Sequence, residues 1–371
     1  MIKSFLKTLP RNLFIIWALG LLLRLVASSI LLYNPDLSPD YHNYRLPIAE
    51  CITSGQWLYC DCAYNHTPLY PYISSLMNWA SQGNKHLQPF FINLPLALGD
   101  ALVPIAIFIL MVALGKSNIA KKCSIFYSLN PICILEVGIA HWDGFTTLFF
   151  LVSLIFIHQG KWHISGIWAG LGALLKQFPV TIILIAFAKS KDFPKSFLLG
   201  IVVLAVVFMG FLPFVLHCPE TFFQNLTSHP LWQGDASTKV GIGTVKDLFE
   251  HMYIPYSKGV WFVLFVVLIA VPFFMAKQDN SIYFAGILMV TLAWFTYVTH
   301  RQLIVWAMPF LIMITLERRQ YWAIIVVFIG YFIRILKPDW YFGLIHLGVG
   351  IWYYYLFFIS LNQKKHMASI N

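Results

Sequence analysis

Asp36 and Asp40, His141 and Asp143, Lys176 with Gln177, and the run His300-Arg301-Gln302 are the polar residues least easily explained as solubilising charge. A carboxylate can take a proton from an attacking hydroxyl, and lysine, arginine or histidine can neutralise a phosphate as it leaves. Such a set suffices to move a group from a phosphate ester to a hydroxyl acceptor. Asp36, Asp40 and Asp143 could instead gather a divalent cation, but the cationic phosphate binders make one unnecessary, so neither metal nor cofactor is expected.

The elements that must hold these residues are read from hydropathy. The chain has 371 residues, 59% hydrophobic and 11% charged, with a mean hydropathy of +0.72. Soluble domains are nearer a quarter charged, and apolar runs separated by short polar breaks are long enough to cross a bilayer as helices. The fold class is therefore an all-α polytopic membrane protein, a single domain over residues 1–371. Spans are expected at 12–33, 87–114, 119–138, 143–158, 196–217, 259–276, 281–298, 303–316, 321–336 and 341–361, about ten crossings. The first run is too long for a signal peptide and carries Arg24, so it reads as an uncleaved span. The net charge of +10 flanks spans rather than forming one patch, which argues against a nucleic-acid partner.

Between 158 and 196 an apolar stretch is interrupted by Lys176 and Pro179. A split hairpin, helices at 164–175 and 178–188 with its tip on the outer side, sorts every loop into two classes. The inner loops then hold 15 Lys/Arg against 3 Asp/Glu, and the outer loops 8 against 10. Positive loops stay in the cytosol, so the hairpin is preferred and both termini are expected to be cytosolic. Outside lie two long loops, 34–86 and 218–258, and every candidate residue above. Within the first, "YRLPIAECITSGQWLY" has the spacing of an amphipathic helix at the interface, lying over the bundle like a lid.

Arg24 and Asp100 fall at similar depth in antiparallel spans, where an unpaired charge costs at least ~2.5 kcal/mol, so they are expected to form a structural ion pair. Six cysteines show no metal spacing; Cys51, Cys60, Cys62 and Cys218 lie in outer loops where a disulfide is possible, its connectivity unreadable. The triplets Asn65-His66-Thr67 and Asn225-Leu226-Thr227 match a glycosylation signal that also arises by chance.

The motifs "DYHNY" after span one, "YNHTPLYPY" ending the same loop, "HWDG", "LLKQFP" and "THRQLIVWAMPFL" occur in an order that resembles the GT-C glycosyltransferase superfamily. The patterns most similar are the polyprenyl- and dolichyl-phosphate-sugar-dependent glucosyl- and mannosyltransferases. The chain departs from them in having "HTPLY" where two prolines are common and "HWDG" where the glucosyltransferases have His-Phe-Gln-Tyr-Asn. The resemblance implies an inverting hexosyltransferase whose donor is a polyprenyl- or dolichyl-phosphate monosaccharide and whose acceptor is a glycan, lipid or protein. It makes Asp40 the catalytic base, preferred over Asp36 because Tyr44 completes an Asp-x-x-x-Tyr spacing. It assigns Lys176 and Gln177 to the donor phosphate, and His300, Arg301 and Gln302 to that phosphate or the sugar. His141, Asp143, Tyr44 and His66 would orient the sugar or the acceptor, although Asp143 could equally cap span four. The alternative is a transporter or flippase of lipid-linked sugars, using the same charges without a base. The membrane would be the plasma or inner membrane of a bacterium, or the endoplasmic reticulum of a eukaryote.

Overall fold

The computed structural model describes residues 11–34, 37–38, 41–190, 192–227, 258–276, 281–295, 304–336, 348 and 350–359. Among them every regular element is helical, apart from an isolated bridge between Leu58 and Cys62. The first helix shows why. Along α1 (Arg11–Leu31), Leu13, Trp17, Gly20, Arg24 and Ser28 are buried at helical spacing, while Phe14, Ile15, Leu22 and Ile30 are exposed although apolar. A helix apolar on its outer face belongs in lipid. Also long and apolar enough to cross are α4 (Gln88–Ala113) and α10 (Phe193–His217). The chain is an integral membrane protein.

The expected span 119–138 is not one helix. It is α5 (Ser117–Ser128) and α6 (Pro131–Gly138), broken where Pro131 lacks an N–H and Asn130 caps the new helix, its side-chain oxygen accepting from the backbone N–H of Ile132 at 2.9 Å. Then come α7 (Asp143–His158) and α8 (Trp162–Ala173). Beyond Lys176 and Gln177 the chain resumes as a 3-10 turn, Phe178–Thr181, and α9 (Ile182–Ser190). The hairpin that loop charge demanded is thus present. Gly166 and Gly170 let α8 lie on α10, since a Cβ at either would fall within 3 Å of Val202 or Val206. The remaining described helices are α11 (Pro219–Thr227), α12 (Lys258–Met275), α13 (Ser281–Phe295), α14 (Ile304–Arg318), α15 (Trp322–Leu336) and α16 (Gly350–Ile359).

Inside the bundle, Arg24 Nε donates to Asp100 Oδ2 at 2.5 Å, both side chains fully buried. Arg24 Nη1 donates to the backbone oxygens of Gly20 and Ser128, and the Tyr127 hydroxyl to Asp100 Oδ1 at 2.8 Å. One buried pair thereby joins α1, α4 and α5.

The first long loop folds into a cap: a π-turn at Tyr41–Arg45, α2 (Leu46–Thr53) and α3 (Leu69–Ala80). Disulfides Cys51–Cys62 and Cys60–Cys218 close it and tie it to the end of α10. Under the second bridge Leu58, Tyr59, Tyr64, Phe214 and Phe222 form a small core. Asn225 of the second triplet donates to the Tyr59 carbonyl at 2.8 Å. Of the loop 218–258, residues 228–257 lie outside the described residues.

Candidate active site

The short loop between α6 and α7 sets the geometry. Ala140 takes a left-handed φ of +65°, its N–H bonding to the Val137 carbonyl and that of His141 to the Glu136 carbonyl, the reversal that commonly ends a helix. A non-glycine residue there is strained, and His141 follows it directly. His141 Nδ1 donates to Glu136 Oε2 and the Tyr331 hydroxyl to Glu136 Oε1. Glu136 is almost wholly buried, so its two donors are what make a carboxylate tolerable there.

Asp143 is the first residue of α7 and not its cap; the cap position is Trp142, and the carboxylate points elsewhere. Its Oδ1 accepts from Lys176 Nζ at 2.7 Å and from Trp306 Nε1, while Oδ2 has no partner among the described residues. Asp143 is 1% exposed and the Lys176 side chain 17%, so the acid is sealed in while the lysine reaches the edge of the site. It also lies 5.1 Å from the ring centre of Trp306 and 5.9 Å from that of Trp142. Gly144 follows: a Cβ there would sit 1.8 Å from Asp100 Oδ1, so the buried Arg24–Asp100 pair packs directly under this loop.

The cap supplies the facing wall. Leu69 N–H bonds to the Leu174 carbonyl at 2.9 Å, joining the start of α3 to the hairpin tip. Tyr70 stacks on Trp142 at 4.6 Å, the Arg45 guanidinium lies 4.5 Å from that ring, and His66 meets it edge-on at 6.0 Å. The hydroxyls of Tyr41, Tyr64, Thr67 and Tyr70 and the indole N–H of Trp142 are buried with no hydrogen-bond partner among the described residues. Burial pushes the Tyr70 phenol up to about 12 against the opposing charge of Arg45, and raises those of Tyr41 and Tyr64 well above their ordinary range. All three remain neutral hydroxyls, each costing ~1–3 kcal/mol while unpaired.

A glycosyltransferase family 87 family model matches residues 89–277, half of the chain and the half that holds Glu136, His141, Asp143 and Lys176. The chain belongs to glycosyltransferase family 87. That family is of GT-C type, membrane transferases that depend on polyprenyl-phosphate sugars, so this member of family 87 is a membrane glycosyltransferase.

Within this family 87 protein the residues expected to act do not all meet. Lys176 and Asp143 pair, His66 meets Trp142 beside them, and His141, two residues before Asp143, turns to Glu136; Tyr44, at 67%, and Gln177 are exposed. Asp36, Asp40, His300, Arg301 and Gln302 lie outside the described residues. Their neighbours do not: Tyr41 packs in one buried cluster with Tyr70, Trp142 and Leu175, and Trp306 on α14 stacks on Phe178 at 4.4 Å. Among the described residues no group of three potential metal ligands forms.

Sequence reasoning missed Glu136, Arg45, Tyr70 and Trp306. Glu136 was findable as a lone acid in an apolar helix five residues before a histidine. Arg45, Tyr70 and Trp306 belong to motifs already singled out, but aromatic residues near span ends read as interfacial belt.

Proposed function

We propose that this family 87 member transfers a hexose, glucose or mannose, from a polyprenyl- or dolichyl-phosphate to an acceptor hydroxyl on the non-cytosolic face, with inversion. The observation that carries this reading is the Lys176–Asp143 pair. An ammonium is held at the tip of a split hairpin, on a partly exposed side chain, beside unpaired hydroxyls and stacked aromatics. The ammonium suits a phosphate, and the hydroxyls, indole N–H and ring faces suit a sugar.

In the reaction, Asp40 takes the acceptor's proton as its oxygen attacks C1, and the bond from C1 to the phosphate oxygen breaks. The electron pair leaves with the polyprenyl phosphate, whose growing charge Lys176 and Arg301 neutralise, with His300 and Gln302 beside them. His141, fixed by Glu136, and His66 orient hydroxyls. The acceptor is a glycan, lipid or protein presented from outside. Cys60–Cys218 supports the sidedness, because it places the ends of both long loops together and needs an oxidising compartment.

The test is to reconstitute the protein and supply a panel of prenyl-phosphate hexoses, following sugar release and transfer. Asp40→Asn is expected to abolish turnover while donor still binds. A protein that moves intact donor across the bilayer, and does so equally well as Asp40→Asn, is a carrier and not a transferase.

A further inference from the structure

A cavity of about 780 Å³ opens on the cap, lined by residues of α2, α3, the turn after α3 and the start of α4. Its exposed lining is mostly apolar, and the polar groups set into it are fixed. Gln88 Nε2 donates to Asn78 Oδ1 at 2.6 Å and to Glu50 Oε1 at 3.3 Å, and Asn78 Nδ2 donates to Thr53 Oγ1 at 3.1 Å. Glu50 Oε2 has no partner among the described residues and the side chain is exposed. At the rim stands Trp79, 67% exposed, followed by Gln82 and Gly83, both left-handed with φ of +52° and +71°. The exposed Glu50 carboxylate, braced by Gln88 and set beside an open indole face in a mostly apolar wall, matches a sugar ring's vicinal hydroxyls and its apolar face. Phosphate is a poor fit, since Lys85 is the one cation in the lining and Glu50 offsets it.

The cavity's position gives it a use. Arg45, which lies over Trp142, directly precedes α2, whereas Glu50 and Thr53 near the far end of α2 line the cavity. Eight helical residues cover ~12 Å, so the two places are separated by more than one sugar ring and share one rigid wall.

We infer that the Glu50–Trp79 cavity is an acceptor subsite that binds the distal rings of an oligosaccharide whose terminal hydroxyl reaches the Lys176–Asp143 site. This rests on the transfer reaction proposed above and names its acceptor class: a saccharide chain rather than a single sugar, a plain lipid or a peptide. The competing occupant is the lipid surface, because Trp79 continues an exposed stripe with Tyr72 and Leu76. Acyl chains, however, make no use of the carboxylate and amides behind it.

The experiment uses the full chain in phosphatidylcholine nanodiscs, with Trp79→Ala and Glu50→Gln, both at exposed positions. Saturation-transfer NMR probes binding of mannotetraose and maltotetraose against the methyl glycosides. Acceptor kinetics compare the same lengths with whichever donor turns over. One tetraose is expected to bind at least about tenfold more tightly than its monosaccharide. Each substitution should raise the tetraose KM about tenfold and leave kcat, donor KM and the monosaccharide KM unchanged. No tetraose binding to the unmodified protein, or variants that shift donor KM or all acceptors alike as a lipid anchor would, overturns the inference. Tetraose binding lost in Trp79→Ala, with no turnover of any donor, upholds the subsite and sinks the transfer reading instead.

Discussion

Lys176 and Asp143, 33 residues apart, meet as a 2.7 Å ion pair at the tip of the split hairpin, the acid buried and the lysine side chain partly exposed. Neither charge would be stable there alone, since removing one partner of a buried pair costs ~3–5 kcal/mol. Asp143 aims the lysine, and Trp306 fixes Asp143 in turn.

Lys176→Met is therefore expected to lower transfer by ~10²–10³-fold, the loss typical of one oxyanion-stabilising donor. The same variant strands Asp143, so Lys176→Met/Asp143→Asn serves as the folded control. If the double variant regains Tm but not rate, the ammonium acts on the phosphate. Recovery of both assigns the pair to structure alone. Asp143→Asn by itself keeps an acceptor for Trp306 and should cost about tenfold, through loss of aim.

Much of this arrangement is legible in the sequence because a bilayer narrows the options. Loop charge alone forces the hairpin around Lys176, and depth alone pairs Arg24 with Asp100. The break at Asn130-Pro131 was equally readable, since asparagine before proline is a helix start, but an unbroken apolar run hid it. Arg45 was not readable. An arginine in an outer loop reads as solvated, and its place over Trp142 depends on how the cap folds back across the hairpin. Nothing local encodes that long-range contact, and the disulfide pairing that fixes the cap is likewise a property of the fold.

Beneath the site, Asp100 holds Arg24 and Tyr127 and abuts Gly144. Asp100→Asn is expected to destabilise by ~3–5 kcal/mol, because it leaves the guanidinium buried without a counter-charge. Arg24→Met/Asp100→Leu should recover most of that, and Gly144→Ala should lose both stability and activity by driving a methyl into the carboxylate. Thermal unfolding in detergent, followed by tryptophan fluorescence, reads all three. The solvent-accessible pair Lys195–Asp192 is the contrast: Lys195→Ala should leave Tm nearly unchanged. Equal effects at the two pairs would remove the case for a buried ionic anchor.

Glu136 acts through His141. The contact between Nδ1 and the carboxylate makes Glu136 the group that selects which ring nitrogen carries the proton. Glu136→Gln can present its amide to Nδ1 and favour the other tautomer. The expected result is about a tenfold drop in kcat with donor KM unchanged, and an altered histidine signal in 15N NMR. A fall in Tm with no spectroscopic change would make Glu136 merely a packing residue.

The disulfides test sidedness directly. Cys51 and Cys62 pair within the cap and Cys60 pairs with Cys218 at the end of α10, whereas Cys123 and Cys133 are free and buried in the bundle. In sealed cells or microsomes, an impermeant reductant followed by an impermeant maleimide should label the four bridged cysteines only from the non-cytosolic side. The two bundle cysteines should react only after denaturation. Labelling of the cap from the cytosolic side would invert the topology and put Lys176 on the wrong face for a donor presented outside. Removing the long bridge with Cys60→Ser/Cys218→Ser should cost ~2–4 kcal/mol. The loss should fall mainly on the cap core around Tyr59, whose rings pack on Phe214 and Phe222, and not on the bundle. The cap would then loosen before the helices part, so that transfer fails at a lower temperature than Trp fluorescence changes.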